Sequence, residues 1–249
     1  EREMLTNLHL QGRLEIPAAA LALGVRKDWP VARALLDRAL GAVLQRRGRL
    51  ILSKWFEEAS QLGGAFRPGP EEQAWLEAHP AIRIGVVNNA PPLNFVDAAG
   101  RPDGLGMDIL HLLNKRLDGR IEAVPGAWSN LYAELQAGTL DAMMDYTPQP
   151  RGEEPLLVTK PYAVIPHVYV GRQGGEYFDS LESLPGRRVA VEAGSGVAEA
   201  LRTARAEANV EEFPDARAAL VAVSAGQADV YLGNRAGALW AIGRELLSN

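Results

Sequence analysis

Between Gly138 and Tyr162 the chain passes through a short apolar run (Leu140, Ala142, Met143, Met144) and then breaks into polar residues around Pro148 and Pro150. A run of this length, after a helical stretch and before prolines, predicts a buried strand that ends in a loop. Asp145, Tyr146, Thr147 and Arg151 stand just past that strand. In open α/β sheets ligands bind at such ends, because strand ends and helix starts leave unpaired backbone donors facing a crevice. An Arg151 guanidinium beside Thr147 and free amides suits bidentate pairing with a carboxylate. The residues alone favour the other reading, an arginine solvated on a loop next to Glu153 and Glu154, since most loop arginines bind nothing in particular.

The rest of the chain repeats the strand-then-helix pattern. Residues 16 to 25 read as an apolar strand. Asp28 then caps a helix with Pro30 in its first turn and Leu35, Leu36, Ala39, Leu40, Val43 and Leu44 at helical spacing. A second short helix follows Gly48. Residues 57 to 70, with Gly63, Gly64, Pro68, Gly69 and Pro70, read as a linker, and Glu71 to His79 as a connector helix. From Ile82 the order is RIGVV (strand), NNAPPLNF (loop), DAAGRPDG (turn), MDILHLLNKRL (helix), IEAVPG (strand) and a helix after Trp128. HVYVGR is a further strand, and QGGEYFDS a Gly-rich crossover. In the second half SLPGRRVAVEAGSGVAEAL gives a strand, a turn and a helix opened by Gly194, Ser195 and Gly196, followed by the strand VEEF, a helix over Ala216 to Ser224, and a strand ending at Asn234. N–H groups at a Gly-Ser-Gly helix start form an anion site, although such a turn is a weak signal by itself.

Composition narrows the function classes. At 249 residues, 47% of them hydrophobic, the chain buries a sizeable core in one two-lobed domain or two small ones. Its net charge of -5, with both signs scattered, argues against a nucleic-acid surface. There is no cysteine, which excludes disulfides and thiolate chemistry. His79, His111 and His167 are isolated and lack metal-ligand spacing. Paired carboxylates for acid-base work are not evident around Asp145, so the expectation is no enzyme and no cofactor. The opening EREMLTN is not a signal peptide, so any export or anchoring parts of the parent are expected outside this sequence.

Gly138, Asp141, Thr147, Pro148, Arg151, Thr159, Pro161 and Tyr162 together resemble the signature of bacterial family 3 solute-binding proteins, the Venus flytraps. The loop is closest to that in the tandem flytraps of BvgS-type sensor histidine kinases. The resemblance implies an α/β fold of two lobes around a hinged cleft, with Arg151 gripping a ligand carboxylate. It implies further contacts from Asn89 and Asn94 in the Pro-stiffened first-lobe loop, and from Asp145, Tyr146 and Thr147 at the strand end. Trp128 matches the aromatic that stacks on the ligand, and Ser195 and Gly196 match the turn that completes the carboxylate site. Asn234 departs from the family: the amino-acid transporters carry an Asp there that pairs with the ligand ammonium, so α-amino-acid specificity is in doubt.

Val25 to Asp28 and Lys54 to Phe56 resemble the last leg of a flytrap, the strand and helix that return to the first lobe. Residues 3 to 7 (EMLTN) echo 245 to 249 (ELLSN), which suggests one period of a tandem array. The expected domains are 1–60 as a return leg that completes lobe 1 in permuted order, 61–80 as linker and connector, 82–170 as lobe 1 and 171–249 as lobe 2. The expected function is a periplasmic ligand-sensing domain of an inner-membrane sensor histidine kinase, binding an amino acid or small carboxylate. The alternative is the substrate-binding protein of an ABC uptake transporter. Expected partners are that ligand, an adjacent flytrap, the membrane-anchored signalling module and a segment-swapped or sensor dimer, with no nucleic acid.

Overall fold

The computed structural model describes residues 7–14, 16, 18–55, 67–97, 99–147, 156–203 and 207–247. In chain order the elements begin with β1 (Leu8–Arg13), β2 (Ala19–Val25), α1 (Pro30–Trp55), α2 (Pro70–Ala78), β3 (Ile82–Val87), β4 (Asn89–Ala90), β5 (Asn94–Val96) and β6 (Pro102–Asp103). There follow α3 (Leu105–Arg116), β7 (Ile121–Gly126), α4 (Trp128–Gln136), β8 (Ala142–Tyr146), β9 (Leu157–Val158), β10 (Ala163–Ile165) and β11 (His167–Arg172). The last are β12 (Arg188–Glu192), α5 (Gly196–Thr203), β13 (Asn209–Phe213), α6 (Ala216–Ser224), β14 (Val230–Asn234) and α7 (Arg235–Leu247). They form two compact units, Ala20–Val164 (here lobe 1) and Glu1–Ala19 with Ile165–Asn249 (lobe 2).

Lobe 1 is built on the strand order β10-β2-β8-β3-β7, with β9 also on β2. The IRIGVV strand is parallel to both its neighbours, Ile84 lying opposite Ala142 and Ala123. It is covered on both faces, which explains why it reads as an almost unbroken apolar run. β2 runs antiparallel to β8, with Gly24 opposite Met143 and Val25 opposite Ala142. Thr159 fastens the other side of β2: its N–H donates to Leu23 O at 3.1 Å, and its Oγ1 accepts from Leu23 N at 3.1 Å. Helix α1 packs on α3, burying Ala32, Leu35, Leu36, Ala39, Leu40 and Val43 along one stripe. Each large aliphatic side chain so buried contributes about 1.5–3 kcal/mol relative to exposure.

Two local readings need correction. The helix from Pro30 continues to Trp55, where two helices divided at Gly48 were expected. One interior glycine costs only about 1 kcal/mol relative to alanine and does not end a helix. Asp28 does not cap it, because both carboxylate oxygens are taken by Arg26, from Nε at 2.7 Å and Nη2 at 2.8 Å. The connector α2 is docked on α1: Trp29 meets Trp75 edge-on at 5.1 Å, Trp75 stacks on His79 at 4.1 Å, and the well-buried Glu72 pairs with Arg38.

Lobe 2 has the strand order β1-β11-β14-β12-β13. β12 is parallel to β13 and β14, whereas β11 is antiparallel to β14, with Tyr169 opposite Leu232. One apolar cluster gathers Val168, Val170, Ala190, Leu220 and Tyr231; a second gathers Tyr169, Val189, Val191, Val230 and Leu232. The reading that gave all of residues 1–60 to lobe 1 meets an exception in β1, which pairs with β11 in lobe 2. Gln11, in the irregular part of β1, accounts for this: its buried amide donates to Glu176 O at 2.7 Å and accepts from Phe178 N at 3.0 Å. The chain therefore passes into lobe 2 ahead of β11 and not near residue 170.

Candidate ligand-binding site

Because β7, β3 and β8 are parallel, their C-terminal ends share one edge of the lobe 1 sheet. Three segments meet at that edge: Asn88–Asn94 after β3, Ala127–Trp128 after β7, and the last residues of β8 with Thr147. Asn88 N–H donates to Gly126 O at 3.1 Å, which holds the first two together. Asn89 and Thr147 are exposed there. Trp128, 47% exposed, opens α4 and stacks on Tyr132 one turn later, with centroids 4.9 Å apart and 10° between planes. An exposed, pre-stacked indole at a helix start presents a flat apolar face to a ligand.

Two expected contacts point inward. Tyr146 is buried with Leu140, Met143 and Leu156 in the lobe 1 core, on the side of Met143 because the alternation of β8 is interrupted at Asp145. Asn94 is fully buried, and its Nδ2 donates to Asp145 Oδ2 at 2.5 Å. Asp145 has φ 57, a left-handed conformation that only Gly, Asn and Asp adopt at modest cost. Its N–H donates to Tyr162 Oη at 3.0 Å, while the Tyr162 hydroxyl donates to Asp145 Oδ1. Burial pushes the Asp145 carboxyl up, against the lowering effect of the Tyr162 and Asn94 hydrogen bonds. Burial, with the Asp145 charge beside it, pushes the Tyr162 phenol well up. Tyr162 belonged to the sequence signature without a role; no spacing rule links it to a carboxylate 17 residues away.

In lobe 2 the parallel strands β12, β13 and β14 likewise end along one edge, and each leads into a helix. Ser195 precedes α5, and its Oγ accepts from Ala198 N at 3.2 Å. Gly196 is the exposed first residue of that helix. In the same turn Gly194 N–H donates to Glu212 Oε2 at 3.2 Å, so the turn already holds one carboxylate oxygen, its own chain's. Arg202, and then Gly194, lower the Glu212 carboxyl. Asn234 ends β14 and caps α7: its Oδ1 accepts from Ala236 N at 2.8 Å and Gly237 N at 3.3 Å. Glu192, which sequence reasoning did not single out, accepts from Tyr231 Oη at 2.9 Å, and burial raises its carboxyl. Arg151, with residues 1–6, Phe56 and Pro148, lies outside the described residues. Among the described residues no three His, Asp or Glu side chains gather to hold a metal ion.

Two α/β units, each with parallel strand ends opening into polar loops and helix starts, define the fold of two-lobed periplasmic binding proteins. The solved structures similar to it include an ancestral arginine-binding protein bound to arginine (23% identity, TM-score 0.59, covering 67% of this chain and 75% of that one). Another is the periplasmic VFT2 domain of BvgS from Bordetella pertussis (22% identity, TM-score 0.55, covering 72% and 76%). Residues 82–230 match the bacterial extracellular solute-binding proteins, family 3, and the chain belongs to that family. It is also 25% identical over 234 residues to the virulence sensor protein BvgS of Bordetella bronchiseptica, covering 92% of this chain. The chain spans 19% of that relative's length.

Proposed function

We propose that this chain is a periplasmic ligand-sensing domain of a bacterial inner-membrane sensor histidine kinase with tandem flytraps, and that it binds a small carboxylate-bearing molecule. The observation that carries the reading is the position of β2 and α1. They lie upstream of the family match at 82–230, yet β2 fills the sheet of lobe 1 and α1 packs on α3 of the same lobe. A run of consecutive flytraps supplies such a leg ahead of each new lobe 1, and a single uptake protein has no use for one. The likeness to BvgS supports the same reading, since it extends over both the leg and the family match.

Arg151 anchors the ligand carboxylate, Trp128 stacks on the ligand, Asn89 and Thr147 add hydrogen bonds, and the Ser195–Gly196 turn contributes amides. Asn234 brings no charge, and its Oδ1 is engaged with α7, so a free α-ammonium finds no carboxylate partner at that position. A thermal-shift screen of the purified chain against amino acids, small carboxylates and aromatic acids tests the reading. A ligand at a hundredfold over its Kd adds about 2.7 kcal/mol and raises the melting temperature. Absence of any shift at millimolar concentrations across the panel would contradict it.

A further inference from the structure

Asn94 is fully buried, and among the described residues nothing donates to its Oδ1. Enclosing an amide oxygen without a donor is costly, and folded proteins retain few such atoms. Its surroundings hold the side chain in place: a Cβ at Gly106 would lie 2.5 Å from both Asn94 Nδ2 and Oδ1. Both ends of the amide therefore lie against the bare Cα of Gly106. Opposite it, the Tyr162 hydroxyl hydrogen is committed to Asp145 Oδ1, which leaves Oδ2 to Asn94. Among the described residues Tyr162 is the titratable group that acts on Asp145.

We propose that Asp145 and Asn94 form a proton-binding site in lobe 1 that positions the Asn88–Asn94 loop. A proton taken from solvent forms an O–H bond at Asp145 Oδ2. The Asn94 amide turns over, and the new hydroxyl donates to Asn94 Oδ1. The pair is then bonded in both protonation states, and β5 is held to the end of β8 in each. The unpartnered atom passes from Oδ1 to Nδ2, while the desolvated negative charge is removed. Asp145 is itself partly exposed at the strand end, which gives the proton a route. If this edge binds an anion, as the proposed function has it, the anion meets a carboxylate before protonation and a neutral acid after it. Proton uptake then accompanies anion binding. The proton site itself does not depend on that reading.

The test is a ligand-free NMR titration of the isotope-labelled full chain, following Asp145 Cγ and the Asn94 side-chain amide. Asp145→Asn supplies the assignment. Asp145 is expected to titrate at higher pH than Asp28, which its hydrogen bonds with Arg26 pull down. The Asn94 amide signals should move over the same pH range as Asp145 in the wild type and be flat with pH in Asp145→Asn. Tyr162→Phe, which removes a donor to the ionised form, should move the midpoint further up. Asn94 signals that stay constant through the Asp145 titration, or an Asp145 that titrates with Asp28, would overturn the proposal. Because no ligand is present, these outcomes are independent of whether the thermal-shift screen finds one.

Discussion

The ring of Tyr146 lies against the bare Cα of Gly24, so that a Cβ at position 24 would come within 2.9 Å of Tyr146 Cγ and 2.8 Å of Leu156 Cδ1. This contact fits β2 closely onto β8. Gly24→Val would force an isopropyl group into a filled core, and overpacking of that kind costs about 1–3 kcal/mol. Urea melts should show a lower midpoint for the variant. An unchanged midpoint would mean that β2 does not occupy this slot in solution.

Asn234 offers a prediction in two parts. Asn234→Ala removes the acceptor for the Ala236 and Gly237 N–H groups and should cost about 0.5–2 kcal/mol of stability, the range for a lost helix cap. Asn234→Asp keeps the cap and adds a carboxylate, so titration calorimetry should show a gain in affinity for α-amino acids over their des-amino analogues. A variant with the wild-type preference would count against the role given to this position.

Glu192 predicts a pH dependence. Burial raises its carboxyl in the folded chain, the Tyr231 hydrogen bond opposes this, and Asp215 adds to it. The folded state therefore takes up the proton at higher pH than the unfolded chain. Its stabilising contribution is fully present below the unfolded-state pKa and is lost as pH rises through the folded-state value. Glu192→Gln preserves an acceptor for Tyr231 and should flatten that segment of a plot of melting temperature against pH. Superimposable profiles for the two proteins would refute the assignment.

The parts of the fold legible in the sequence are those whose partners are near or whose burial is uniform. RIGVV and the apolar run ending at Met144 read as strands because strands buried on both faces need apolar residues almost throughout, whereas Asp145 and Tyr146, expected just past the second strand, are its last two residues. The helix expected over Ala216–Ser224 has that span in α6, where Asp215 caps its start and Ala219, Leu220, Ala222 and Val223 are buried. β1 was missed: LHLQGR is half polar, its register shifts near Gln11, and its partner β11 lies far along the chain. At the site, strand ends and helix starts were legible from periodicity. Which polar residues turn inward was not. Asn94 looks like a loop residue until Gly106 gives it room beneath α3, Glu192 meets Tyr231 through the register of β12 with β14, and Tyr162 reaches Asp145 from the turn ahead of β10; a single sequence encodes none of these locally.

The most direct measurement is a calorimetric titration of the best carboxylate from the screen into the wild-type chain and into Arg151→Ala, at matched salt. Truncating one partner of a buried, hydrogen-bonded charge pair costs about 2–5 kcal/mol, so binding should weaken by at least about thirtyfold in the variant. Equal affinities in the two proteins, with both fully folded, would contradict the claim that this chain is a carboxylate-sensing flytrap anchored by Arg151.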